Sequence, residues 1–246
     1  MSKQGGMGAA LYLGGDDISG DIQSVAISGG PALLDVTDIT QLAHSRLGGE
    51  RDGTISLVSY WDPALAHPTL SALVTSDQLV TYATATAIGA PSASVNALQI
   101  NYDGTRGTDG SFTFAVEAQA DGYGVEWGVL LTPGMRTDTT ATAASSANSY
   151  DTGASAAFGG QAYLQVNAFT GTSVTVAIWD SADNSTFLAV GSFAFTAQTA
   201  ASTQQRIAIG NTATIRRYVA VATTGTFTNA QFAVHLTKNA LAGQVF

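Results

Sequence analysis

The chain has 246 residues, of which 45% are hydrophobic and only 11% charged, with a net charge of −9 and mean hydropathy +0.17. The charged share is less than half of the roughly 25% usual in soluble domains, so the exterior is polar but largely uncharged and costs little to desolvate. The absence of cysteine excludes disulfides, thiolate chemistry and Cys-based zinc sites.

The first strand signals are Leu11–Leu13, Ile22–Ile27, Leu33–Val36 and Gly53–Tyr60, the last rich in β formers with partial alternation. Between them, Asp38–Asp52 reads as a long charged connection carrying His44, Arg46, Glu50 and Arg51 around Gly48-Gly49. A connection of that length inside a β domain is usually functional or mobile. Asp62-Pro63 opens a short helix, with Asp as N-cap and Pro68 inside the run. Strands resume at Gln78–Thr84 and Val95–Tyr102, and Asp103-Gly104 and Asp109-Gly110 mark a loop. In Phe112–Gln119, Phe112, Phe114, Val116 and Ala118 face one way and Thr113, Ala115, Glu117 and Gln119 the other, the pattern of a sheet with one covered face. Trp127–Thr132 closes this part.

Met135–Gly153 is small, polar and aperiodic, which predicts a division into a first domain 1–140, a linker 141–153 and a second domain 154–246. Charge changes there too. Residues 1–140 hold five basic against fifteen acidic residues, a balance of −10; residues 141–246 hold four against three, a balance of +1. An acidic first domain cannot grip phosphates, which needs clustered Lys and Arg. The second part predicts six strands, Gln161–Phe169, Ser173–Asp180, Phe187–Phe195, Gln204–Ile209, Arg216–Thr223 and Gln231–Thr237. The turns fall at Thr170-Gly171, Ala182–Ser185, Gly210-Asn211 and Thr224-Gly225. Six strands with no helix between them make a β-sandwich or jelly roll.

Chemistry finds little support. His44, His67 and His235 show no zinc-site spacing, and Asp16-Asp17 with Asp21 lacks the ligand series of a calcium loop. Glu117, Asp121 and Glu126 do not define a cleft, and there is no G-x-S-x-G elbow, P-loop or dinucleotide fingerprint. The expectation is a non-enzyme without catalytic or metal residues or cofactors. Trp61, Trp127 and Trp179 suit core or interface anchoring better than sugar stacking. Met1–Gly6 lacks the apolar run of a signal peptide, and no apolar stretch of about 18 residues occurs, which predicts cytoplasmic synthesis and no membrane span.

Leu11–Asp21, Leu34–Thr37 and Glu50–Leu57 together resemble the opening of the tail tube (major tail) proteins of long-tailed, siphovirus-type bacteriophages. Ala177–Phe187 followed by Thr214–Val221 is similar to the β domain often appended to such subunits. The resemblance implies a mainly β chain: a tail-tube β-sandwich or barrel domain with one short helix, then an all-β sandwich domain on the outside. It implies a virion protein forming hexameric rings stacked into a tube, with tape measure and tail terminator proteins as partners and double-stranded DNA passing without specific binding. Residues before Leu11 and the connection with His44, Arg46, Glu50 and Arg51 become ring-stacking elements, and Glu117 and Asp121 become lumen-lining candidates. A carbohydrate- or receptor-binding β-sandwich, with Trp61 or Trp179 as platform, and a capsid decoration protein remain alternatives.

Overall fold

Alternating apolar residues put most of the chain into strands. A computed structural model describes residues 7–242; residues 1–6, part of the expected N-terminal stacking element, lie outside the described residues. In chain order the elements are β1 (Ala10–Leu13), β2 (Asp16–Asp17), β3 (Ile22–Asp35), β4 (Arg46–Tyr60), α1 (Ala66–Ser71), β5 (Gln78–Ala83), β6 (Pro91–Gln99), β7 (Asp103–Arg106) and β8 (Phe112–Ala120). They continue with β9 (Glu126–Leu130), β10 (Arg136–Asp138), β11 (Ser149–Asp151), β12 (Gly160–Ser181), β13 (Leu188–Ala194), β14 (Thr203–Ile209) and β15 (Tyr218–Lys238).

The fold is mainly β, built on one antiparallel hydrogen-bonded path, β13-β12-β15-β9-β6-β5-β1-β2. In the first half, the inward residues Ile55, Leu57, Val116 and Ala118 of β4 and β8 pack on Leu11, Leu13, Val80 and Val95, and Ala66 and Leu70 of α1 close that core. Asp62 Oδ1 accepts from Ala64 N at 2.7 Å ahead of α1. In the second half, β12 and β15 run antiparallel from Gly160↔Lys238 to Ser181↔Tyr218. This ladder folds back on itself, so Leu164 and Val166 of its near end share a core with Val174, Val176 and Ile178 of its far end.

The turns expected at Thr170-Gly171 and Thr224-Gly225 are bends inside these continuous strands. Register shifts occur on both sides of Gly171, and Gly171 and Gly225 hold φ of 154° and 124°. A Cβ on Gly225 would lie 2.3 Å from Ser173 O. Glycine there marks close backbone approach at a bulge. Asp103–Arg106, expected as loop, is the short strand β7, and the stretch 141–153 carries β11, which pairs with Tyr218–Ala220.

The near end of the β12–β15 ladder buries both faces. Its second face presents Gln161, Tyr163, Gln165, His235 and Thr237 toward the first half, all buried. Gln165 Nε2 donates to Leu79 O at 2.9 Å and its Oε1 accepts from Gly15 N at 2.7 Å. The two apolar cores thus meet across a polar seam, with a small apolar patch of Tyr12, Leu130 and Ala233 beside it.

Candidate functional site

β3, β4, β8 and β7 lie side by side in that order; β3 pairs only with β4 and β7 only with β8, while beyond β7 the end of β8, at Ala118–Ala120, pairs with β6 at Ala97–Gln99. Among the described residues the outer edges of β3 and β7 are unpaired, and that of β3 is 14 residues long. One face covers the first core. The other carries rows set by register: Ala26–Ser56–Glu117 and Ser28–Thr54–Gln119. Small and polar side chains on that face leave it open, and none of the described residues packs over Ser24, Ala26 or Ala115, all exposed.

Glu117 stands on this open face, half-buried, its backbone N–H donating to Asn101 Oδ1 at 2.7 Å. Asp121 is exposed just past the end of β8, its N–H donating to Asn96 O at 2.9 Å. The two are four residues apart, Glu117 within β8 and Asp121 one residue past its end. Glu126, read alongside them in the sequence, is fully buried in the seam instead.

The expected irregular connection 38–52 is shorter than its sequence suggested. Arg46–Asp52 belongs to β4, and its ladder with β3 extends to Asp35↔Arg46. Gly48-Gly49 hides the strand because glycine has low β propensity and breaks alternation. The hairpin leaves the body at the Gly29–Gly53 pair, where a Cβ on Gly53 would lie 2.5 Å from Val125 Cγ2. Beyond it the two strands form an arm. At its turn Thr37 Oγ1 and N donate to Asp35 Oδ1, holding the Asp35 carboxyl below its usual range, and His44 Nδ1 lies 3.0 Å from Asp35 Oδ2. His44, Arg46, Glu50 and Arg51 are all exposed along this arm. Sequence reasoning found these charges, and Leu33–Val36 as strand, but not that the apolar side chains of the arm are exposed. Leu33, Leu34, Val36 and Leu47 are exposed, and Ile39 and Leu42 are completely so, at 104% and 106%.

At the other end of the sheet, Trp61 follows β4, and its N–H donates to Phe112 O at 3.0 Å. Trp61, His67, Phe112, Phe114 and Tyr102 form a connected ring cluster, with Tyr102 and Phe114 stacked at 4.1 Å. Trp61 is 48% exposed and Trp127 55%, so neither anchors a core, whereas Trp179 is partly buried. Trp127 walls an apolar groove of about 810 Å³ beside Tyr150 and Lys238.

The seam supplies the buried electrostatics. Arg206 Nη2 donates to Glu126 Oε1, its Nε donates to Tyr163 Oη at 3.0 Å, and its guanidinium stacks 3.6 Å from the Tyr123 ring centroid. Burial pushes the Glu126 carboxyl above its usual range, while Arg206 pulls it back. Burial likewise lowers the His235 imidazole to about 3. Its Nδ1 lies 2.7 Å from Ser92 Oγ and its Nε2 lies 2.9 Å from Thr237 Oγ1. With the Thr237 hydroxyl proton directed to Trp127 O, the network assigns the Nε2–H tautomer, with Ser92 donating to Nδ1. Among the described residues no group of three or more His, Asp or Glu is placed to hold a metal ion, and no helix is long and apolar enough to cross a membrane.

Several solved structures are similar to this chain at low identity. The virion of a native gene transfer agent particle contains a chain 16% identical, TM-score 0.42, covering 51% of this chain and 98% of that one. A second match is the tail of an empty gene transfer agent particle with C6 symmetry, at 15% identity, TM-score 0.42 and the same coverage. A third is the Dit (gp 19.1) protein of phage SPP1, described as a hub of the adsorption apparatus, at 10% identity and TM-score 0.34, covering 93% of this chain and 98% of that one. No protein-family model and no curated protein matches the chain.

Proposed function

We propose that the chain is a non-enzymatic tail tube subunit that polymerises into stacked hexameric rings and encloses an acidic conduit for DNA ejection. The observation that carries this reading is the run β3-β4-β8-β7, in which the outer edges of β3 and of the short β7 are unpaired among the described residues and one polar face is uncovered. Unpaired margins are a liability in an isolated copy, and pairing the β3 margin of one copy with the β7 margin of the next closes them round a barrel. The uncovered face then becomes the lumen wall, with Glu117 on it and Asp121 at its rim. Carboxylates facing a lumen repel phosphates, so DNA slides without being held. In this reading residues 1–140 form the ring, 154–246 decorate its outside and 141–153 join them. Tape measure protein inside the tube and a terminator at its end are the partners, and the mature location is the virion.

Negative-stain microscopy of the purified chain tests the reading: rings or tubes are the expected particles. Monodisperse monomers at every salt and protein concentration, with glycan-array binding that disappears in Trp61→Ala or Trp179→Ala, would replace it with receptor binding. Trimers or lattice patches would point to capsid decoration.

A second expectation concerns the lumen charge. Glu117→Lys with Asp121→Lys should leave tubes intact and slow DNA release from assembled particles, more so at low ionic strength because the new attraction is screened by salt. Unchanged release kinetics would remove both residues from the conduit.

A further inference from the structure

We infer that the aromatic platform at Trp61 is the receptor for the apolar arm of the copy stacked next to it; this rests on the ring-stacking reading above. The two surfaces occupy opposite ends of one sheet. β4 begins at Arg46 on the arm and ends at Tyr60, next to Trp61. At about 3.3 Å per residue, β4 separates arm from platform by roughly 40 Å or more. Within one copy they cannot meet.

Each surface is apolar and uncovered. The arm shows Leu33, Leu34, Val36, Ile39, Leu42 and Leu47, and the platform shows Trp61 and Phe112, flanked in sequence by exposed Tyr60 and Leu65. Exposed apolar clusters of this kind mark contact sites. Their shapes differ in a useful way, since the arm is a narrow two-stranded ribbon and the platform a broad ring cluster backed by the stacked pair Tyr102–Phe114. Charge also matches. The arm turn carries Asp35 and Asp38, both held ionised by threonine hydrogen bonds, with Arg46 behind them. On the platform, Arg106 of β7 lies directly across the ladder from Phe112, and Asp62 follows Trp61.

A contact joining one end of a copy to the opposite end of another is heterologous and propagates in one direction. The arm from Leu33 to Leu47 offers fewer residues than the 20–30 per side of a stable interface, so one contact is weak. A closed ring repeats it and gains avidity. Isolated copies then stay apart while rings stack.

The chain lacks cysteine, which permits a clean crosslinking test on the full-length protein. Leu42→Cys with Trp61→Cys in one chain should give a ladder of covalent multimers under mild oxidation, because a disulfide needs Cα atoms within about 7 Å and the two sites cannot reach each other within a copy. Tyr60→Cys replaces Trp61→Cys should the latter fold poorly. Leu42→Cys with Trp127→Cys, which offers the rival apolar groove, should give no ladder. Tubes in the microscope without a 42–61 or 42–60 ladder overturn the inference and leave the tube reading standing. A ladder through Trp127→Cys overturns it in favour of the groove. A 42–61 ladder in particles that are linear chains, with no rings, keeps the inference and overturns the tube reading.

Discussion

Arg206→Met is expected to destabilise the folded chain by about 3–5 kcal/mol, because it takes the ion-pair partner from the fully buried Glu126 carboxylate and leaves it the neutral Tyr163 hydroxyl. The cost comes from desolvation. An exposed ion pair contributes only about 0–1 kcal/mol, but here Glu126 has no access to water and the Arg206 side chain is only 11% exposed. Glu126→Leu alone should cost less, since the guanidinium keeps the Tyr163 hydroxyl and the Tyr123 ring. The double variant Glu126→Leu/Arg206→Met should recover much of the loss, as replacing both ions removes both desolvation penalties. Urea unfolding of the four chains measures the coupling. A single-variant loss below about 1 kcal/mol would mean that water reaches the pair.

Stability should fall as pH drops from about 6.5 toward 3, through His235. In the folded chain this ring stays neutral until about pH 3, whereas in the unfolded chain it protonates near its ordinary 6.5. The unfolded state therefore binds one more proton inside that window. Stability due to His235 is fully present above pH 6.5 and is lost progressively below it, at up to about 1.4 kcal/mol per pH unit. The aspartates held low by hydrogen bonds, such as Asp151 and Asp183 at about 2, add the same sign of dependence only below about 4. Glu126, raised by burial, contributes with the opposite sign above 4.5. Both groups therefore act between pH 4.5 and 6.5, and because Glu126 is common to both chains, the difference in slope between the parent chain and His235→Gln isolates the histidine. In His235→Gln the overall stability should be lower at pH 7, but the slope across that window should flatten. An unchanged slope would assign the acid sensitivity elsewhere.

Much of the β content was legible in local pattern. Alternation in Phe112–Gln119 put Glu117 on the polar face, which is where the strand carries it. Gly53–Tyr60 was recognisable for the same reason: inward Ile55 and Leu57 stand two residues apart, and β geometry has period two. The outer arm was not legible, since Leu47-Gly-Gly-Glu-Arg-Asp has neither alternation nor β propensity. Its strand exists only because β3 supplies the opposite half of the ladder. Gly171 and Gly225 read as turns because glycine is a turn residue locally, yet each lies opposite another strand that continues the ladder past it.

Composition and periodicity by themselves determined a cysteine-free, sparsely charged, mainly β chain with acid concentrated in its first 140 residues. Those properties are sums or short-range repeats, so they survive without knowing which segments touch. The tertiary structure alone decided that Glu126 meets Arg206, that His235 is buried between Ser92 and Thr237, and that an apolar arm and an aromatic platform stand at opposite ends of β4. Each of these joins residues far apart in the chain, and burial and pairing energies depend on that proximity, which no local pattern encodes.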